Sequence, residues 1–155
     1  MMAGSFDVDI SEVTAIAAGF DKGPAVLKKN NAKAARQSGF IVEGNAKTEA
    51  PVGETGNLKG GIRAKPPRQS GTSTSVDVVS HASYSRPVHD GRKAVVRTAA
   101  QGPLVFDVKG KTIFTMKTKA VAANPYMDRG LKKSEAQIVR VFDQAAAMTM
   151  KELGL

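Results

Sequence analysis

The sequence predicts an α+β protein: a long N-terminal helix, a twisted and mostly antiparallel sheet with a long hairpin loop, and a C-terminal helix. Three observations predict it. Apolar residues recur at three- and four-residue steps from Pro24 to Glu49 and again from Leu131 to the C-terminus, the period of a helix packed on one face. Between those segments they alternate in short runs punctuated by Gly and Pro, the pattern of short strands. The stretch from Ala50 to Ile62 divides the two regimes. Pro51 pushes the residue before it out of helical geometry, and Gly53 and Gly56 permit turns.

At 155 residues the chain is read as one domain, 1–155, with an N-terminal arm over 1–10 and a basic hairpin loop over 59–75. Its 41% hydrophobic and 24% charged residues are ordinary for a globular protein, which favours a packed core. With no cysteine there is no disulfide, thiolate metal site or thiol nucleophile, and a reducing compartment suits the composition. No apolar run approaches the ~18 residues that would span a membrane. The first residues lack a basic region followed by an apolar one, so the protein is expected to stay where it is made.

The net charge of +9 is localised. Between Thr55 and Lys119 stand twelve Lys or Arg and three acids, and the rest of the chain is neutral. Such a field suits a polyanionic partner, either nucleic acid or an acidic protein surface. The plainer reading is a solvated basic face.

In chain order, Phe6, Val8 and Ile10 alternate with acids, and Ser11 is placed to cap a short helix over Glu12–Ala18 that Gly19 ends. Pro24 suits the first turn of a second, longer helix. Val26, Leu27, Ala34, Ala35, Ile41, Val42 and Ala46 form its apolar stripe, and Gly39 marks a close approach of another backbone. Leu58, Gly60 and Ile62 are read as the start of a strand. Arg63 to Thr74 is a loop or the tip of a long hairpin, and Thr72 to Ser80 resumes extended structure. Tyr84 and Val88 fit one helical turn in the connection 81–91. Val95 and Val96 centre a short basic stretch. Pro103–Val108 and Lys111–Lys117, joined through Lys109-Gly110, form the clearest hairpin. A linker over 117–123 leads to Asn124 as cap and Pro125 at the first turn of the last helix. Its stripe comprises Leu131, Ala136, Ile138, Val139, Phe142, Ala145, Ala146, Met150 and Leu153.

Catalytic and metal chemistry finds little support. His81 and His89 lie eight residues apart with only Asp90 adjacent, too few ligands for a metal site. Ser80, His81 and Asp77 are triad residue types held too close in sequence for triad geometry. The glycines at 53, 56, 60 and 61 lack phosphate-loop spacing and follow a helix instead of leading into one. No catalytic, cofactor or metal residue is therefore assigned. The basic residues Lys59, Arg63, Lys65 and Arg68 have no aromatic residue interleaved with them, so contact with nucleic acid would be to the backbone only.

Three segments resemble the head–tail joining proteins of long-tailed bacteriophages, the neck and tail-completion group that includes tail-terminator-like proteins. Ala50-Pro51-Val52 followed by Thr55-Gly56-Asn57-Leu58-Lys59 and Ile62 is similar to the family's Ala-Pro, Thr-Gly-x-Leu-Arg/Lys, Ile segment. Tyr84, Val88, His89 and Gly91 stand where the family commonly has Tyr-Ala and Val-Glu-x-Gly, with Ser85 in place of the Ala and His89 in place of the Glu. Asn124-Pro125-Tyr126-Met127 resembles the family's Pro-Phe-Leu segment. The resemblance implies a non-enzymatic virion protein without cofactor. It would form a homo-oligomeric ring, six-fold in its expected order, between a neighbouring stopper ring and the tail tube protein. Double-stranded DNA would pass through the hole. The host cytoplasm would be its location during assembly. Pro51, Gly53, Thr55, Gly56 and Leu58 would then form an assembly junction. Lys59, Arg63, Lys65 and Arg68 would face DNA or an acidic partner, and Tyr84, Pro125 and Tyr126 would meet a partner. The alternative is a small DNA-binding accessory protein without sequence preference.

Overall fold

In the computed structural model, which describes residues 11–53, 56–71, 73–108 and 110–154, two long antiparallel helices carry the rest of the chain. Helix α1 spans Ser11–Glu49, and α4 spans Tyr126–Leu153. Between them come α2 (Asn57–Gly61), the strands β1 (Ile62–Ala64), β2 (Arg68–Ser70), β3 (Ser73–Ser75) and β4 (Val78–Ser80), and α3 (Ser85–Asp90). Next are β5 (Val95–Val96), a 3-10 turn at Ala99–Gln101, β6 (Leu104–Val108), β7 (Lys111–Thr115) and β8 (Lys117–Thr118). The expected class holds. The alternating run Phe6–Ile10 and the 1–10 arm lie outside the described residues.

The strands pair as two ribbons. In the first, β1 pairs with β4 and β2 with β3, both antiparallel. The expected hairpin tip is therefore itself a ladder, turned at Gly71. In the second, the expected hairpin is in place with Phe106 opposite Ile113 and Val105 opposite Phe114. It continues downward through β5 paired with β8 and a bridge between Arg92 and Val121, so part of the expected linker 117–123 is strand.

Two local readings change. Helix α1 runs unbroken through Gly19, Gly23 and Pro24, where the sequence predicts a division. The end of α4 reaches that far, with Leu153 beside Gly23, and tertiary packing of this kind overrides local breakers. Pro24 has no amide hydrogen to give the carbonyl of Phe20, and the helix runs on without that one bond. Leu58 and Gly60 lie in α2 and not in a strand, because the turn at Gly56 starts a helical turn before the chain extends at Ile62.

The seam between α1 and α4 is made of small and polar residues. Ala46 meets Gly130, and Ala34 packs with Val141 and Ala145. Asn45 donates to the Ser134 hydroxyl at 2.8 Å, and Ser134 donates to the Gly130 carbonyl at 2.7 Å. Toward the other end, Asn30 donates to Thr149 at 3.1 Å, and Thr149 donates to the Ala145 carbonyl at 2.8 Å. Each hydroxyl both donates and accepts, so burial leaves neither unsatisfied. These two clasps define the register of helices whose small side chains alone would slide. The other core lies at the junction end, where Ala46, Ala50, Leu58, Ile62 and Tyr126 pack with Val78, Ala82, Val88 and Met127. Gly39 marks a close approach of side chains and not of the backbone expected there. A Cβ there would stand 2.8 Å from Val76 and 3.3 Å from Ala64, so the first ribbon lies directly on α1.

Candidate assembly surfaces

The junction after α1 divides into anchored and free parts. Ala50 is buried and its amide still donates to the Ala46 carbonyl at 2.9 Å. Pro51, Val52 and Gly53 then run exposed. Gly56 is left-handed at φ 63°, ψ 4° with open space around it, so its backbone shape alone selects glycine. Leu58 returns the chain to the core at 3% exposure. Thr55 lies outside the described residues. Of the expected junction residues, Leu58 is thus a core anchor, Gly56 a turn, and Pro51 and Gly53 belong to an exposed strap.

Two carboxylates near the end of α1 tie it to its neighbours, and neither was singled out in the sequence. Glu43 accepts from the Ala64 amide at 2.7 Å and from Lys47, and Arg63 lies 3.4 Å away, so it pins β1 to α1. Glu49 pairs with Lys133 and, at 2.8 Å, with Arg129, pinning α1 to α4. The hydrogen bond from Lys47, then that from the Ala64 amide, holds Glu43 below the usual carboxylate range. Lys133 first and then Arg129 do the same to Glu49. Both folded-state values lie below the unfolded ones. The stabilisation is therefore complete above the unfolded carboxylate range and is lost as pH falls through the depressed folded values. The melting temperature is expected to be flat from about pH 7 to pH 5 on this account and to drop below about pH 4.5. In Glu43→Gln/Glu49→Gln the drop should be shallower and the neutral-pH melting point lower. Identical acid limbs in thermal melts of both proteins would refute this.

The basic loop is less free than its composition suggests. Arg68 pairs with Asp77 and Arg63 with Glu43, so two of its four cations already face acids of this chain. Lys59 and Lys65 are exposed. Gln69 donates to the Lys28 carbonyl at 2.8 Å, which fixes the ribbon tip to α1. The three residues expected at a partner contact separate. Tyr84 is 42% exposed and Pro125 is exposed at the cap of α4, whereas Tyr126 is 1% exposed. Asn124, expected to cap α4, instead accepts from Arg129 at 2.5 Å. His89 stands edge-on to Tyr126 with ring centroids 5.4 Å apart. Its Nδ1 lies 2.7 Å from Asp90 and its Nε2 3.6 Å from Asp128, while His81 is exposed on its own. The His89 contact, then Arg86, lowers the Asp90 carboxyl.

The apolar stripe of α4 contains the most informative departure from the sequence reading. The buried residues are Tyr126, Gly130, Ser134, Val141, Ala145 and Thr149. Most of the large expected core residues face out: Leu131, Val139, Phe142 and Met150 are all exposed. On α1, Leu27 and Phe40 are exposed as well. Exposed apolar residues also occupy both faces of the second ribbon, at Val105, Phe106, Ile113 and Phe114. Exposed apolar patches of more than a few hundred Å² mark interaction sites. No described helix is long and apolar enough to cross a membrane.

The α+β fold thus combines a closed helical seam, a first ribbon lying on α1, a second ribbon with exposed apolar residues, and large apolar side chains turned outward on α4. Residues 15–91, about half of the chain, match the family described as "Bacteriophage HK97-gp10, putative tail-component". The chain belongs to this HK97-gp10-like family of phage tail components. No curated protein and no solved structure matches it. The match covers α1, the junction, the first ribbon and α3, and so includes the first two of the three segments that carried the resemblance.

Proposed function

We propose that the protein forms a homo-oligomeric ring at the head–tail junction, completes or terminates the tail there, and joins it to the head, with DNA passing through the ring. The observation that carries this reading is surplus surface. The chain exposes 11518 Å² at 16.3 kDa. A compact monomer of that mass exposes about 7,500 Å². The excess leaves ample surface for two interfaces of ordinary size, about 800 Å² per partner each, to be removed from one subunit. A ring of head-to-tail contacts gives every copy two such interfaces. Its neighbours would be a stopper ring on one side and the tube on the other, and six-fold order is the expectation carried by the resemblance.

Light scattering on the purified protein, and electron microscopy of tails assembled with it, test the reading. A discrete ring, or the protein located at one end of the tail, is expected. A protein that stays monomeric, is missing from tails and binds duplex DNA with a steep salt dependence would instead be a DNA-binding accessory protein. The basic loop is tested separately with Arg63→Ala/Lys65→Ala/Arg68→Ala. The exposed pairs to Glu43 and Asp77 contribute only about 0–1 kcal/mol each, so the fold should survive. Tails should form while DNA transit, read as infectivity, falls. Full infectivity would remove the loop from the DNA path.

A further inference from the structure

We propose that the second ribbon, residues 92–121, of one copy docks by its Val105–Phe114 face into the cleft between α1, the first ribbon and α4 of a second copy. This names the interface of the ring reading and rests on that reading.

The ribbon is built to be covered. Val105 and Phe114 face each other across the strands at 55% and 65% exposure. On the opposite face Phe106 and Ile113 pair at 38% and 45%. A two-stranded ribbon alone in water is marginally stable, and one with apolar residues on both faces is worse placed. It leaves the body where Arg92 and Val121 bridge. Gly91 beside that bridge has φ 75°, and a Cβ on it would stand 2.8 Å from the Ala123 amide nitrogen and the Val121 carbonyl oxygen. The root is therefore tightly closed, and the ribbon projects as a unit.

The cleft is its complement. It encloses about 370 Å³ and is lined mainly by apolar side chains, among them Val42, Val76, Leu131, Ile138 and Phe142. Leu131 is 49% and Phe142 37% exposed, although both sit on a helix whose other face is closed. Asp128, Leu131, Glu135, Ile138 and Phe142 follow one another at three- and four-residue steps, so two acids share the helix face that lines the cleft. Asp128 also lines the cleft itself, and its side chain is 74% exposed. The ribbon carries seven Lys or Arg and one acid over 92–121. An apolar and basic projection thus meets an apolar recess edged by the carboxylate of Asp128, and one chain carries both.

That pairing selects a second copy as the occupant. A projection and a recess on different parts of one chain make a head-to-tail contact, and such contacts close into a ring when the rotation between copies closes. Aromatic side chains bury about 150–250 Å² each, so seating the ribbon tip provides a substantial part of an ordinary interface.

The chain has no cysteine, so a designed pair reports without background. In Phe114→Cys/Leu131→Cys, mild oxidation of rings or of assembled tails should give a ladder of disulfide-linked protomers, absent from either single variant. Phe114→Glu brings a negative charge toward Asp128 and Glu135. It should leave the melting temperature unchanged and weaken assembly by at least about tenfold. Rings that form without the 114–131 link, a link within one chain, or a link to another tail protein would overturn the inference and leave the ring reading standing. Failure to form any ring, alone or with tail tubes, would overturn both.

Discussion

Replacing Gly130 by Ala is expected to destabilise the protein by about 2 kcal/mol, and replacing it by Leu to abolish the native fold. A Cβ at this position would stand 2.6 Å from both the Cα and the amide nitrogen of Ala46, and 2.9 Å from its Cβ. Two of these atoms are backbone in the middle of a helical turn, so no rotamer change relieves the clash. The helices must separate or slide. Overpacking costs about 1–3 kcal/mol and a clash with backbone stands at the top of that range, so about 2 kcal/mol remains after the better helix propensity of Ala returns about 1 kcal/mol. Sliding is opposed by the clasps at Asn45–Ser134 and Asn30–Thr149, and separation is opposed by Glu49 with Arg129 and Lys133. In a domain of this size the change corresponds to a melting point lower by about 4–8 °C. Gly44→Ala is the matched control, because a Cβ there meets nothing within 4 Å. It should raise stability by about 0.5–1 kcal/mol. If Gly130→Ala melts at or above the parent temperature while Gly44→Ala behaves as stated, the seam is not closed at Ala46.

Gly130 also shows where the sequence stops being legible. Helical periodicity predicts that α4 exists and roughly where it starts, because period and cap signals are local. Which face is buried is not local. The stripe through Leu131, Ile138 and Phe142 is the more apolar one, and a lone chain would be expected to bury it. The structure buries Gly130, Ser134, Ala145 and Thr149 instead. The partner stripe on α1 explains this, since Ala34, Ala35, Ser38 and Ala46 are small, and only small residues opposite let the axes approach. The Ala-rich stripe of α1 was readable as a tight contact, but a sequence does not say which face of which helix fills it. Gly39 was readable as a close approach for the same reason, and the atoms it meets, Val76 and Ala64, were not. The ion pairs at Glu43 and Glu49 were illegible too. Arg63 pairs with a residue twenty positions away, and Arg129 with one eighty positions away. The composition of the basic loop therefore overstated its free charge.

Tyr126→Ala is expected to be the most damaging single substitution at any residue of the resemblance. The side chain is 1% exposed and packs with Ala46, Ala50, Leu58 and Ile62. Removing a buried aromatic ring leaves a cavity among neighbours that cannot collapse, at a cost of about 3–5 kcal/mol. That is comparable with the whole stability of a small domain, about 5–15 kcal/mol. The site resists collapse for a specific reason. Leu58 and Ile62 are held by the turn at Gly56 and by the β1–β4 ladder, and Ala46 is held against Gly130, so each wall belongs to a different anchored element. Tyr84→Ala, at 42% exposure, should shift stability by no more than about 0.5 kcal/mol. The two tyrosines thus divide the roles that the resemblance assigned to both: loss of folding at Tyr126, and at Tyr84 any loss confined to assembly. Urea titration of the two variants, with tail incorporation measured on whatever remains folded, separates these outcomes. A Tyr126→Ala protein that keeps its unfolding midpoint yet fails to enter tails would place the ring at a partner surface. The junction core of Leu58, Ile62 and Ala50 would then have to hold together without it.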